Sequence, residues 1–339
     1  MAATTGTTTK RRGRGKWIGL GVLVLGGFIA VEGGFAGYGW AQLRSSLFPR
    51  DEALLGYLPP TTKGVAIVDP HQIDLKVLGT GATRSYLDRV RKDVKDASGI
   101  DLGFDVDKMV VSSSLVVAKG RFDASKLESK LAKHHYGAAE YKGYKYLVHP
   151  GDDAIAVLDS SVLLYGDEAG IKGAIDARAS GESFEKNEQA MASLKRVGWN
   201  HPFLVTYQVT DQAPSLRRIL AGSGGPKAVT AGIDTKAGLD VDTVVESAGG
   251  GSAQELQKLL EEKRSNADAL KGFVGPELAE VLVDVSKKAV IASNDQEGTV
   301  RVKLHLDDAQ VETLAKGASQ SAPLGEIYKS LRLYQLLVP

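Results

Sequence analysis

The longest apolar run lies near the start of the chain. From Trp17 to Val31 it reads WIGLGVLVLGGFIAV without a charge, and after Glu32 the apolar character resumes as GGFAGYGWAQL up to Arg44. A helix that crosses a bilayer core needs about 20 residues, so this pattern predicts a transmembrane signal-anchor over 17–40, with Glu32 hydrated near its outer interface. Trp17 at one end and Tyr38 with Trp40 at the other suit the two aromatic belts of such a helix.

Further along, the apolar spacing takes the short periods of a folded body. GVAIVD (64–69) is a β-branched run that reads as a strand, and SYLDRVRKDVKDAS (85–98) places Tyr86, Leu87, Val90 and Val94 on one helical face. Residues 109–113 and 115–121 read as strands, followed by a helix capped by Asp123 and running to His134 with Leu127 and Leu131 inward. Three more strands are predicted at 144–149, 153–158 and 161–165, then helices at 167–179 and 187–196. A strand at 203–209 opens the second half, which repeats the scheme in outline. Strand 238–247 and helix 252–264 parallel 115–134, and strand 300–306 with its Asp-capped helix 307–318 parallels 162–179.

Strands joined by short turns, with helices set between groups of strands, predict an α+β fold of mostly antiparallel sheet, each sheet covered by helices on one face. The expected organisation is a basic tail (1–16), the transmembrane segment (17–40), a proline-containing linker (41–60), a first α+β lobe (61–197) and a similar second lobe (198–339), a duplication. The second lobe is expected to fold when cut at about Gly198.

Composition narrows the function classes. Hydrophobic residues make up 43% and charged residues 24%, which is ordinary globular usage and argues against a disordered chain or a multi-span transporter. The 42 Lys and Arg nearly balance the 41 Asp and Glu, so there is no global field to draw in nucleic acid. With no cysteine there is no thiol nucleophile, thiolate zinc site or lipidation cysteine, and any anchor must be peptide.

Lys10, Arg11, Arg12, Arg14 and Lys16 precede the apolar run without an acidic residue. That flank keeps the N-terminus in the cytoplasm and sends the body across the cytoplasmic (inner) membrane, into a periplasmic or other extracytoplasmic space. The competing reading is a cleaved signal peptide, with Gly39-Trp40-Ala41 as the small-residue site. Gly33, Gly37 and Ala41, like Gly26, Ala30 and Gly34, fall four apart and would let two such helices approach as a homodimer.

The familiar catalytic patterns fail one by one. Ser223 in AGSGG resembles a nucleophile elbow, but a predicted helix (215–220) precedes it and Pro226 follows, so the strand that should aim the serine is missing. None of His71, His134, His135, His149, His201 and His305 forms HExxH or a helical i, i+4 pair. Asp152-Asp153 reads as a turn and Asp307-Asp308 as a helix start, and no glycine cluster ends in the Lys-Ser/Thr of a phosphate loop. The sequence therefore assigns no catalytic, cofactor or metal residue.

Leu58-Pro59-Pro60 ahead of GVAIVDP, then Gly120-Arg-Phe-Asp123, Tyr141-Lys-Gly-Tyr144, AIAVLDSSVLLYGDEAGIKGAIDA and the later Asp-capped helix resemble a family of bacterial exported, membrane-anchored proteins of unknown function. The resemblance spans roughly 55–318. Its motifs mark strands, turns and caps, so it implies the architecture and no activity. The expectation is a non-enzymatic envelope protein that contacts membrane lipid through its N-terminal helix and binds or scaffolds an envelope protein partner. The alternatives are a periplasmic carrier of lipid or another apolar ligand, which apolar residues on a helix-free sheet face would support, and a hydrolase with a site built from scattered residues.

Overall fold

The computed structural model describes residues 52–72, 92–150, 153–209, 226–236, 238–247, 253–265 and 276–313. The expected transmembrane segment and Ser223 lie outside them, and among the described residues no helix is long and apolar enough to cross a membrane.

The fold is α+β, built on one large antiparallel sheet. Its first-half strands are β1 (Gly64–Val68), β2 (Val106–Val111), β3 (Leu115–Gly120), β4 (Gly137–Tyr141), β5 (Tyr144–Val148), β6 (Asp153–Asp159) and β7 (Val162–Asp167). The second half supplies β8 (Phe203–Gln208), β9 (Pro226–Asp234), β10 (Leu239–Ser247), β11 (Val290–Asn294) and β12 (Thr299–Leu306). The order across the sheet is β11-β12-β10-β9-β8-β1-β2-β3-β7-β6-β5-β4. β1 and β8 pair antiparallel, with Ala66 opposite Val205 and Val68 opposite Phe203, so the sheet is continuous where two lobes are expected from sequence.

Both faces carry helices. The first face is covered by α2 (Glu168–Ser180) and α3 (Glu188–Val197), the second by α1 (Ala124–Leu131), α4 (Ala253–Ser265) and α5 (Pro276–Lys288). β7 shows why one covered face does not suffice: Val162 and Leu164 join the core under α2, while Leu163 and Tyr165 join the core with Leu127 and Leu131 of α1. A strand apolar at every position must be buried on both sides. Residues 52–57, at the end of the expected linker, form a short 3-10 helix, and Leu54, Leu55 and Leu58 lie deep in the first-face core beside Phe184.

The helix starts follow the capping rules. Asp123 accepts from the Lys126 amide, Asp167 from Gly170 and Asn187 from Ala190. Asp307 accepts from Gln310 while the Gln310 side chain accepts from the Asp307 amide, a reciprocal box that starts the helical residues 308–313. β4, β9, α5 and β11 are absent from the pattern read in sequence. β4 is GAAEY and β9 is PKAVTAGID, whose small residues and leading proline carry little strand signal.

Candidate functional site

In-register pairing lines up the side chains of the second face into rows that cross many strands. One row runs Ile155, Tyr165, Val116, Val111, Ala66, Val205, Ala231, Thr243, Val302, Ile291. The next runs Val157, Leu163, Ala118, Met109, Val68, Phe203, Ile233, Val241, Leu304. In the second row Leu163, Ala118, Met109, Val68, Phe203 and Ile233 are all buried. In the first, Val116, Val111, Val205 and Ala231 are only half-buried on either side of the buried Ala66, and Tyr207 and its partner Val229 one step further along are half-buried too.

The reason is where the helices sit. α4 and α5 lie against β11, β12 and β10, and the leucines of α1 join a core that takes in Leu163 and Tyr165 of β7 together with Val68, Met109 and Phe203 of the central strands. The helical residues 92–98, with Val94 and Ala97 buried, lie beside α1 and lead into Ile100 and Leu102 of the same core, while among α1, α4 and α5 none packs chiefly on β8 or β9. The centre of the sheet therefore presents an apolar strip of Val116, Val111, Val205, Ala231, Tyr207 and Val229 between two groups of helices. Such a strip does no bond chemistry. It offers apolar surface whose removal from water is worth roughly 25 cal/mol per Å².

On the first face the helices enclose a cleft of about 620 Å³, lined by Ala53, Arg178, Glu185, Glu188, Met191 and Lys195, among others. Its wall brings two cations and two carboxylates around a methionine, with Arg178 stacked 5.4 Å from the Tyr57 ring centroid. Burial raises the Tyr57 phenol above its ordinary value, opposed by the Arg178 guanidinium.

The sequence candidates scatter. His71 stands 4.0 Å from Asp107, His305 bonds Asp240 at 2.8 Å with both side chains exposed, and His201 lies over Gly232, where a Cβ would come within 2.3 Å of its ring. His134 and His135 end the short 3-10 extension of α1, His135 in the left-handed region. Among the described residues no three His, Cys, Asp or Glu gather to hold a metal. Asp307 is a cap, as its position predicts. Asp153 is not a turn residue: it begins β6 and is 3% exposed.

Two polar groups carry no sequence signal, because their members are far apart in the chain. Tyr136 and His149 meet at a tilt of 47° with ring centroids 5.2 Å apart near Asp153, and burial together with the Asp153 charge pushes the Tyr136 phenol well above its ordinary value. Under α3, Ser193 and Arg196 both donate to the buried Glu246 of β10, and Thr206 pairs with Thr230 at 2.8 Å. Both groups are internally engaged, which is how buried polar atoms are normally kept.

No protein-family model matches the chain, and no curated protein matches it. A solved structure described as "Structure of crystal form I of TP0453" superposes with a TM-score of 0.43 at 8% identity, over 78% of this chain and 96% of that one.

Proposed function

We propose that this chain is a non-catalytic, membrane-anchored protein of the cell envelope that holds an acyl chain or a similar apolar ligand against the second face of its sheet. The observation that carries the reading is the half-buried set Val116, Val111, Val205 and Ala231 in one cross-strand row, either side of the buried Ala66 and between the α1 side of the sheet and the α4–α5 side. Apolar side chains aligned in register give a flat, dry track that suits a flexible hydrocarbon, which needs area rather than directed hydrogen bonds. The anchor and the extracytoplasmic side rest on the N-terminal pattern of charge and apolar length.

The same reading takes the body as two copies of one unit. The strand order β1-β2-β3-β7-β6 in the first half matches β8-β9-β10-β12-β11 in the second, and each half has an Asp-capped helix after its last strand. The apolar strip straddles the β1–β8 seam where the copies meet. A protein partner is the second reading, favoured by the first-face cleft, whose mixed charges around Met191 suit a peptide segment better than a lipid tail.

The test is purification of the full chain in mild detergent, with mass spectrometry of what accompanies it. Lipid near one mole per mole of protein is expected, falling at least fivefold in Val205→Asp with an unchanged circular dichroism spectrum. A stoichiometric protein partner with no lipid would replace this reading with the scaffold.

A further inference from the structure

Among the described residues the sheet ends at two edge strands, β4 and β11, and they are built differently. β4 reads GAAEY, carries the charge of Glu140, and turns at once through Lys142 and Gly143, both with positive φ. β11 reads VIASN, with no charge and no proline, and pairs β12 on one side only. Val290, Ala292 and Asn294 are all exposed, Val290 to 62%. Edge strands normally carry a charge, a proline or a bulge that discourages pairing, and β11 has none of these.

What flanks β11 selects the partner. Lys287 and Lys288 close the last turn of α5 just before the strand, Lys288 paired to Asp284 of the same helix, and Asp295 and Glu297 lie in the turn just after it, Glu297 3.7 Å from Arg196 of α3. The segment thus runs from a basic end through a neutral strand to an acidic end. Set antiparallel against itself about Ala292, it brings Val290 opposite Asn294, Ile291 opposite Ser293 and each basic end beside an acidic one, twice by symmetry.

We propose that β11 is a homotypic docking edge, through which two copies of this chain join their sheets about a twofold axis at Ala292. A five-residue strand pair buries less than the roughly 1,200 Å² of a stable interface, so the association is weak and reversible, and a covalent trap is the way to read it. This edge is independent of the apolar strip and of any pairing between N-terminal helices.

The chain has no cysteine, so a single introduced thiol reports cleanly. On the twofold, residue 292 faces its own copy at a Cα separation of about 4.5–5.5 Å, within disulfide reach. Under mild oxidation the full-length Ala292→Cys protein is expected to yield mostly covalent dimer, whereas Ala138→Cys on the β4 edge stays monomeric. Adding Lys287→Glu is expected to cut the dimer yield several-fold, and adding Glu297→Lys as well to restore it. Adding Val290→Lys should abolish the cross-link with no change in melting temperature, since that side chain is exposed. No cross-link from Ala292→Cys, equal yields from both edges, or indifference to the charge exchange would each overturn the proposal.

Discussion

At the scale of single residues, Asp69 tests most directly whether a buried carboxylate here is structural. It is 4% exposed, and its oxygens accept from the His71 amide and from Gln72 Nε2, closing the short turn after β1. Burial raises its pKa above the ordinary carboxylate value, outweighing the nearby Lys108 charge. Because the folded pKa is the higher one, this group favours folding below the unfolded carboxylate pKa of about 4, and that contribution is lost as the pH rises through the folded value. Asp69→Asn has no such proton, so its stability relative to the parent is expected to improve between pH 4 and pH 7, read from urea midpoints at both. A difference that stays constant or runs the other way would show that Asp69 is not held this way. The sequence displays the residues that cap and turn, because a cap is local: Asp123, Asp167, Asn187 and Asp307 each serve an amide three residues on. It conceals Ser193 with Glu246, or Tyr136 with His149, because those pairs exist only after distant strands are set side by side.

Among the elements, α3 does more than close the first half. It packs on β8, β9 and β10 of the second half, and its Ser193 and Arg196 hold Glu246, which is 7% exposed. Removing Glu246 strands the buried Ser193 hydroxyl, while Arg196 keeps water and Glu297, so Glu246→Ala is expected to cost about 1–3 kcal/mol in equilibrium urea unfolding, and Glu246→Gln, which keeps an acceptor for Ser193, clearly less. Equal losses in the two variants would mean that packing and not the carboxylate holds α3. The apolar period finds α3 and its neighbours easily, since Met191, Leu194 and Val197 recur on one face. It misses β4, β9 and β11, whose Ala, Gly and Ser positions take strand form because the adjacent strands offer pairing partners, not because of their own propensity.

For the whole molecule, continuity of the sheet alters what a half of the chain can do alone. A piece beginning at Gly198 loses both β1, the partner of β8, and α3, the cover of Thr206, Thr230 and Glu246. That piece is expected to melt without a cooperative transition, whereas one beginning at Asn187 keeps α3 and melts cooperatively; the same sharp transition from both would show that α3 is dispensable to the second half. The shared strand order of the two halves also puts the apolar strip at their seam, built from Val111 and Val116 on one side and from Val205 and Ala231 on the other. The strip is illegible in sequence because valines in four separate strands align only through their register. Its role is read most directly by labelling the full chain with a photoactivatable fatty acid and mapping the adducts by peptide mass spectrometry. Adducts concentrated on residues 111–116, 205–207 and 229–231 are expected; labelling spread over the surface, or confined to the first-face cleft around Met191, would contradict an apolar ligand on the second face.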